Sequence, residues 1–297
     1  MRDESEGQPF DLDLTLRRRA LQRVAAHYDE AAFLHREVGE RLLERLDCLK
    51  LTPEIILDVG CGAGQITARL MKKYRKARVI GLELAPALVT KAGKRAPWFR
   101  TLYGAVAEAG ALPIAKARCD LIFSNLTLPW YPDLDQVFAE FDRVLKPGGA
   151  LLFSTLGPDS LIELRRSWAA ADRYNHINAF FDLHDIGDAL LRAGLAEPVM
   201  DVERLTLTYP DTAGLMRDLK MLGAGNVTAG RAPGLTGKGR LRAMRKAYER
   251  LRRADGALPA TCEVVYGHAW GSLANSSRPK ADDPAFFPLS QLRRRSP

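Results

Sequence analysis

The hydrophobic and polar positions change rhythm three times along the chain. From Thr15 to Leu49 the pattern is helical, with Leu42, Leu43, Leu46 and Leu49 recurring at intervals of three and four between Arg and Glu. Thr52-Pro53 ends that run. Ile55-Ile56-Leu57-Asp58-Val59 is then a short apolar stretch closed by glycines, which predicts a buried parallel strand. Similar runs predict strands over 78–83, 102–103, 119–125 and 150–156. Helical patterns fall between them over 66–74, 87–95 and 134–145, the last stopped by Lys146-Pro147-Gly148-Gly149. Strand and helix alternate, so the fold class is α/β, a doubly wound and mostly parallel sheet with helices on both faces.

After Leu156 the alternation loosens. Helices are predicted over 161–171, 184–193 (with Gly194 as C-cap), 215–222 and 240–253, and strands over 202–209 and 260–270. This half reads as part continuation of the sheet and part helical lid or insertion. The division expected is a flexible leader over 1–14, N-terminal helices over 15–50, a ligand-binding core over 51–156, and a substrate half over 157–271. The Pro-, Ser- and Arg-rich stretch 272–297 reads as a disordered tail.

Composition narrows the class. Of 297 residues, 46% are hydrophobic and 27% charged, which excludes wholesale disorder and fibrous repeats. The four cysteines form no CxxC pair, so neither a zinc site nor a disulfide framework is expected. No apolar run is long enough to span a membrane, and the acidic, polar start lacks the features of a secretory signal, so the expected location is cytoplasmic. The net charge of +8 points to an acidic partner. It is concentrated between Lys238 and Arg253, where Arg240, Arg242, Arg245 and Lys246 face a single acid, Glu249. Arg17, Arg18 and Arg19 could extend that surface.

The chemistry centres on Asp58-Val59-Gly60-Cys61-Gly62-Ala63-Gly64, between a strand and a helix. Its glycines let a ligand approach the backbone closely. Their spacing is not the G-x-G-x-x-G of dinucleotide binders, and there is no Walker lysine. Asp58 would repel a phosphate and suits an ammonium. Glu83, at the end of the second predicted strand, can bind both hydroxyls of a ribose. A ligand with a ribose and an ammonium but no phosphate points to S-adenosylmethionine.

Residues 55–156 resemble the class I S-adenosylmethionine-dependent methyltransferases in "LDVGCGAGQIT", "GLELAP" and "DLIFSNLTLPW". The resemblance implies a Rossmann-like fold and a cofactor pocket made by Asp58, Gly60, Gly62, Gly64, Glu83, Leu84 and Asn125. Glu108 would take the adenine contact in place of the family's Asp, and Tyr28 would close over the cofactor as a lid. The stretches "HINAFFDLHDIGDALLRAGLAEPVMDVERLTLTYP", "LMRDLKMLGAGNVTAGR", "LPATCEVVYGHAW" and "VAAHYDEAAFLHREVGERLLERL" are similar to the malonyl-[acyl-carrier protein] O-methyltransferases, over roughly residues 16–271. That family implies methylation of the free carboxylate of a malonyl thioester, a step that opens pimeloyl synthesis for biotin. The partner implied is an acidic acyl carrier protein bearing the malonyl group, docked on the basic surface.

Candidates to orient the substrate carboxylate are Arg217, Lys220 and Arg231, the first two sharing a helix face. Trp130 is a candidate wall of the acceptor site. His176, Asn178, His184 and His268 read as structural polar groups. Two other readings stay open at this point. A nucleic-acid methyltransferase fits the charge, although Ser124-Asn125-Leu126-Thr127 lacks the proline pair of amino-group methylases. A related group acts in respiratory complex I assembly, as an arginine hydroxylase or in a chaperone-like role.

Overall fold

The structure, a computed structural model, describes residues 12–228, 231, 234 and 236–272. The expected leader over 1–14 and tail over 272–297 therefore lie almost wholly outside the described residues. Seven strands build one sheet: β1 (Ile55–Val59), β2 (Arg78–Glu83), β3 (Tyr103–Val106), β4 (Cys119–Asn125), β5 (Leu145–Leu156), β6 (Ala196–Tyr209) and β7 (Leu258–Trp270). Their order is β3-β2-β1-β4-β5-β7-β6. The first five are mutually parallel, and β7 runs antiparallel to both neighbours. This is the doubly wound, mostly parallel sheet that the alternating pattern predicted, and the Rossmann-like arrangement that the resemblance implied.

The near-continuous apolar runs have a simple cause. Successive side chains leave a strand on opposite faces, and here both faces are covered. Leu57, Ile122, Leu151 and Phe153 pack on one side against α6 (Leu134–Val144) and α8 (Leu183–Ala193). Ile56, Leu121, Phe123 and Leu152 pack on the other against α3 (Phe33–Arg45) and α4 (Gln65–Lys73). Gly194 ends α8 in the left-handed region at φ 88°, as a C-cap should.

Two boundaries depart from the sequence expectation. Lys146 to Gly149 do not form a separate turn. Helix α6 ends at Val144, β5 begins at Leu145, and the register against β4 shifts between Cys119 and Leu121 to absorb the extra residues. The single helical stretch expected over 15–49 is broken into α1 (Leu14–Val24), α2 (Tyr28–Ala31) and α3, followed by a short turn of 3-10 helix over 46–48. The break bends the chain over the carboxyl ends of β1, β2 and β4.

That bend is pinned by charge. Lys91 Nζ, on α5 (Pro86–Gly93), donates to the carbonyls of Ala25 and Ala26 at 3.1 and 3.0 Å, which satisfies acceptors left open where α1 ends. Asp29 then gathers Lys91 at 2.8 Å, Gln65 at 2.8 Å and Arg95. In the second half, α7 (Ile162–Ala169), α9 (Thr212–Met221) and α10 (Lys238–Glu249) share a small core of their own around Trp168, Met244 and Tyr248. Helix α9 packs against both α2 and α10, so this cluster reaches the bent N-terminal segment.

Candidate active site

The carboxyl ends of β1, β2 and β4 open into a crevice roofed by α1 and α2. It comprises two adjoining cavities that share Tyr28, His35, Gly60 and Asn125 as lining. This is where an open α/β sheet presents its ligand site. Gly60, Gly62 and Gly64 have φ of 77°, 53° and 81°, a region that side chains resist. At Gly60 a Cβ would overlap Thr127, and at Gly62 it would touch the ring and hydroxyl of Tyr28 at 3.5–3.8 Å. The turn therefore needs bare backbone, with Tyr28 lying directly over it.

Glu83 holds this turn in place. Its Oε2 accepts from Gly62 N at 3.1 Å, and its Oε1 accepts from Leu84 N and Ala85 N at 2.7 and 3.2 Å. Burial raises its carboxyl above the ordinary range, against the opposing pull of Arg17 and these three amides. Asp58 is buried at the end of β1 and accepts from Thr67 Oγ1 at 2.6 Å. Burial pushes its carboxyl up to about 7, with Glu83 adding to the rise and Thr67 opposing it. Asn125 lines both cavities, with Nδ2 donating to His35 O at 2.8 Å and Oδ1 accepting from Ser154 Oγ at 2.8 Å. Leu84 and Tyr28 line the crevice as well. Asp58, the three glycines, Glu83, Leu84, Asn125 and Tyr28 are thus brought to one place.

Other expected site residues are not. Arg217 and Lys220 are exposed on α9, because Leu215 and Leu219 turn the opposite face inward. Arg231 is exposed and donates to Thr228 O at 3.2 Å. None of the three lines the crevice. Glu108 is exposed on a turn; its neighbours Ala107 and Ala109 line the crevice, and Ala109 N donates to Tyr131 Oη at 2.9 Å. Glu108 itself does not line the crevice. His176 stacks on Trp168 at 3.8 Å between ring centroids and bonds Asp172 at 2.7 Å. His184 is exposed, Asn178 is buried away from the crevice, and His268 stands edge-on to Trp270. Trp130 does wall the crevice.

Arg17 and His35 enter the site unannounced. Arg17 is the first of three consecutive arginines, yet it is 5% exposed and lies under α1, while Arg18 and Arg19 face solvent. It therefore leaves the basic outer surface to which its sequence context assigned it. Leu14, Arg17 and Leu21 form one inward stripe. That spacing is the signal the sequence carries, an arginine within an apolar helical face. His35 lines both cavities with an unpartnered Nδ1; burial and Arg17 lower its pKa to about 4, so it stays neutral.

The comparisons agree with this geometry. Residues 57–153 match the family described as "Methyltransferase domain". Among solved structures, the YcgJ protein of Bacillus subtilis has a TM-score of 0.57 at 15% identity, covering 78% of this chain and 97% of its own. The [4+2]-cyclase SpnF, covering 80% of this chain and 81% of its own, has a TM-score of 0.51 at 17% identity, so the likeness speaks to fold alone. Curated relatives are far nearer. The malonyl-[acyl-carrier protein] O-methyltransferase of Methylovorus sp. is 48% identical over 91% of this chain and 93% of its own length. Its namesake in Gallionella capsiferriformans is 48% identical over 88% and 92%. The Coxiella burnetii enzyme, malonyl-[acyl-carrier protein] O-methyltransferase 1, is 42% identical over 97% and 98%. With identity this high across both the glycine-turn core and the second half that follows it, the chain belongs to the malonyl-[acyl-carrier protein] O-methyltransferase family.

Proposed function

We propose that this protein transfers a methyl group from S-adenosylmethionine to the free carboxylate of a malonyl group carried on an acyl carrier protein. The observation that carries the reading is the 42–48% identity to enzymes of that name over nearly the whole chain. By the resemblance, the ester formed would prime pimeloyl synthesis for biotin.

The crevice residues fit the cofactor. Glu83 offers carboxylate oxygens for ribose hydroxyls, and Asp58 offers a buried negative charge for an ammonium. The bare backbone of the glycine turn and the walls of Leu84, Ala107 and Ala109 leave room for the adenosine. The cofactor supplies an electrophilic methyl on a sulfonium, so that a C–O bond to the substrate forms as the C–S bond breaks and a neutral thioether leaves. A malonyl carboxylate is already ionised at neutral pH, so no general base is required. The protein's task is to orient that oxygen and exclude water, and Tyr28, buried over Gly62, contributes to both.

The charge on Asp58 makes binding pH-dependent. In the free protein its carboxyl is half protonated near pH 7. An ammonium beside it favours the ionised form and lowers that value. Binding below pH 7 must therefore expel a proton, and affinity falls by up to about tenfold per unit. Calorimetry between about pH 5.5 and 7.5 should show binding tightening as pH rises, with the slope lost in Asp58→Asn. A flat profile in the wild type would remove Asp58 from the ammonium site.

The acidic partner is supported by α10. Arg242, Arg245 and Lys246 are exposed on it, while Met244 and Tyr248 anchor its inner face. Lys238 and Arg240 sit in its first turn with no side-chain cap, where the helix dipole disfavours cations. Arg240 also pairs with Asp172 at 3.8 Å, while the exposed Arg242, Arg245 and Lys246 suit an acidic protein that must be steered in. The decisive assay is transfer of labelled methyl to malonyl-acyl carrier protein, with the acetyl form as control. Label on the malonyl form alone is expected, with salt raising KM for the carrier-borne substrate more than for malonyl-coenzyme A. Label on neither form, with cofactor bound, would overturn the reading.

A further inference from the structure

Arg17 is a buried cation without a counter-ion. Its Nη1 donates to Leu222 O at 3.0 Å, and its guanidinium carbon sits over the Trp130 ring, 3.5 Å from the centroid. No carboxylate forms an ion pair with it among the described residues; Glu83 acts on it only through space, while its own two oxygens are held by backbone amides. Burial accordingly pulls its pKa down to about 10. Leaving a guanidinium desolvated and unpaired is costly, and an arginine has five N–H donors in a planar fork. Trp130 covers one side of it, and the bond to Leu222 O uses only one of those five donors. The tyrosines and the histidine beside it are neutral: Tyr28 and Tyr131 have hydroxyls whose ionisation burial opposes, and His35 is uncharged.

We infer that Arg17 receives the carboxylate of the acyl substrate and sets its orientation toward the methyl donor, a role that rests on the function proposed above. The docking completes two half-satisfied sites at once. The substrate's anion gains a bidentate partner, and the buried guanidinium gains its counter-charge. It also sets specificity, because an acetyl thioester or a methyl ester has no charge to offer. The pair is strongest before reaction, since esterification removes the negative charge. Arg17 therefore holds the ground state more tightly than the transition state, and its effect falls on KM rather than kcat. The neutral product loses the same contact and leaves readily.

The test is Arg17→Met, which keeps the volume, with Arg17→Lys as the conservative variant. Replacing an unpaired buried charge by an apolar chain should leave thermal stability unchanged or raised. The expected result for Arg17→Met is a KM for malonyl-acyl carrier protein raised roughly 30-fold with kcat within about threefold. S-adenosylmethionine affinity should be nearly unchanged, and Arg17→Lys should recover part of the KM. A second arm needs no turnover: binding of malonyl-N-acetylcysteamine and of its methyl ester to the protein saturated with S-adenosylhomocysteine. The wild type should prefer the free acid, and Arg17→Met should bind the two alike. An unchanged preference in Arg17→Met, or a loss confined to cofactor affinity, overturns the assignment. If the wild type binds the free acid in preference but transfers no methyl, the proposed function fails while Arg17 keeps its role.

Discussion

Glu83→Ala is expected to weaken S-adenosylmethionine binding by roughly 10²–10⁴-fold, the loss of two charge-assisted hydrogen bonds worth about 1.5–3 kcal/mol each. The carboxylate serves two masters. In the proposed function it takes the ribose hydroxyls, and it already accepts from the amides of Gly62, Leu84 and Ala85. Removing it leaves those three buried donors without their acceptor and loosens the turn over which Tyr28 lies. Glu83→Gln keeps a carbonyl oxygen but cannot satisfy three amides and two hydroxyls together, so its loss should be intermediate. Titration calorimetry measures both variants, and circular dichroism checks that the sheet survives. Wild-type affinity in Glu83→Ala, with the fold intact, would remove the crevice as the cofactor site.

The glycine-turn side of this crevice could be read from the chain because each of its parts is local. β1, β2 and β4 are apolar runs with both faces covered, so their limits coincide with the runs. The glycines announce a turn needing positive φ, and Glu83 ends a strand whose neighbour carries that turn. The substrate half is built from contacts between distant segments. Alanines at 25, 26, 31 and 32 favour helix continuation, yet the chain breaks there because Lys91 and the Asp29 cluster reward the bend. Arg17 looked solvated because two more arginines follow it. Only the path of α1 across the crevice turns it inward and leaves Arg18 and Arg19 outside. Arg217 and Lys220 illustrate the converse. Their spacing does put them on one face, but Leu215 and Leu219 claim the interior and the shared face is the wet one.

Gly64→Ala tests the architecture of the turn from another direction and should be strongly destabilising. Gly64 ends the turn at φ 81° and opens α4. An L-residue there pays about 1–2 kcal/mol for the left-handed conformation alone. The added Cβ would also lie 2.6 Å from Ala92 Cα and 2.7 Å from Ala92 Cβ, on the packed face of α5. A backbone atom cannot swing aside as a side-chain tip can, so α4 and α5 must part, at about 1–3 kcal/mol more. The expected sum is a destabilisation of about 2–5 kcal/mol, read as a fall of the denaturant midpoint with unchanged slope, together with loss of cofactor binding. Gly93→Ala is the matched control, one residue beyond Ala92 on the same helix. A Cβ there meets nothing within 4 Å, and alanine is the better helix former by about 0.5–1 kcal/mol. That variant should be as stable as the wild type or more so, and should bind the cofactor normally. Equal stability in Gly64→Ala and Gly93→Ala would mean that α4 and α5 do not close on the turn as tightly as the structure places them.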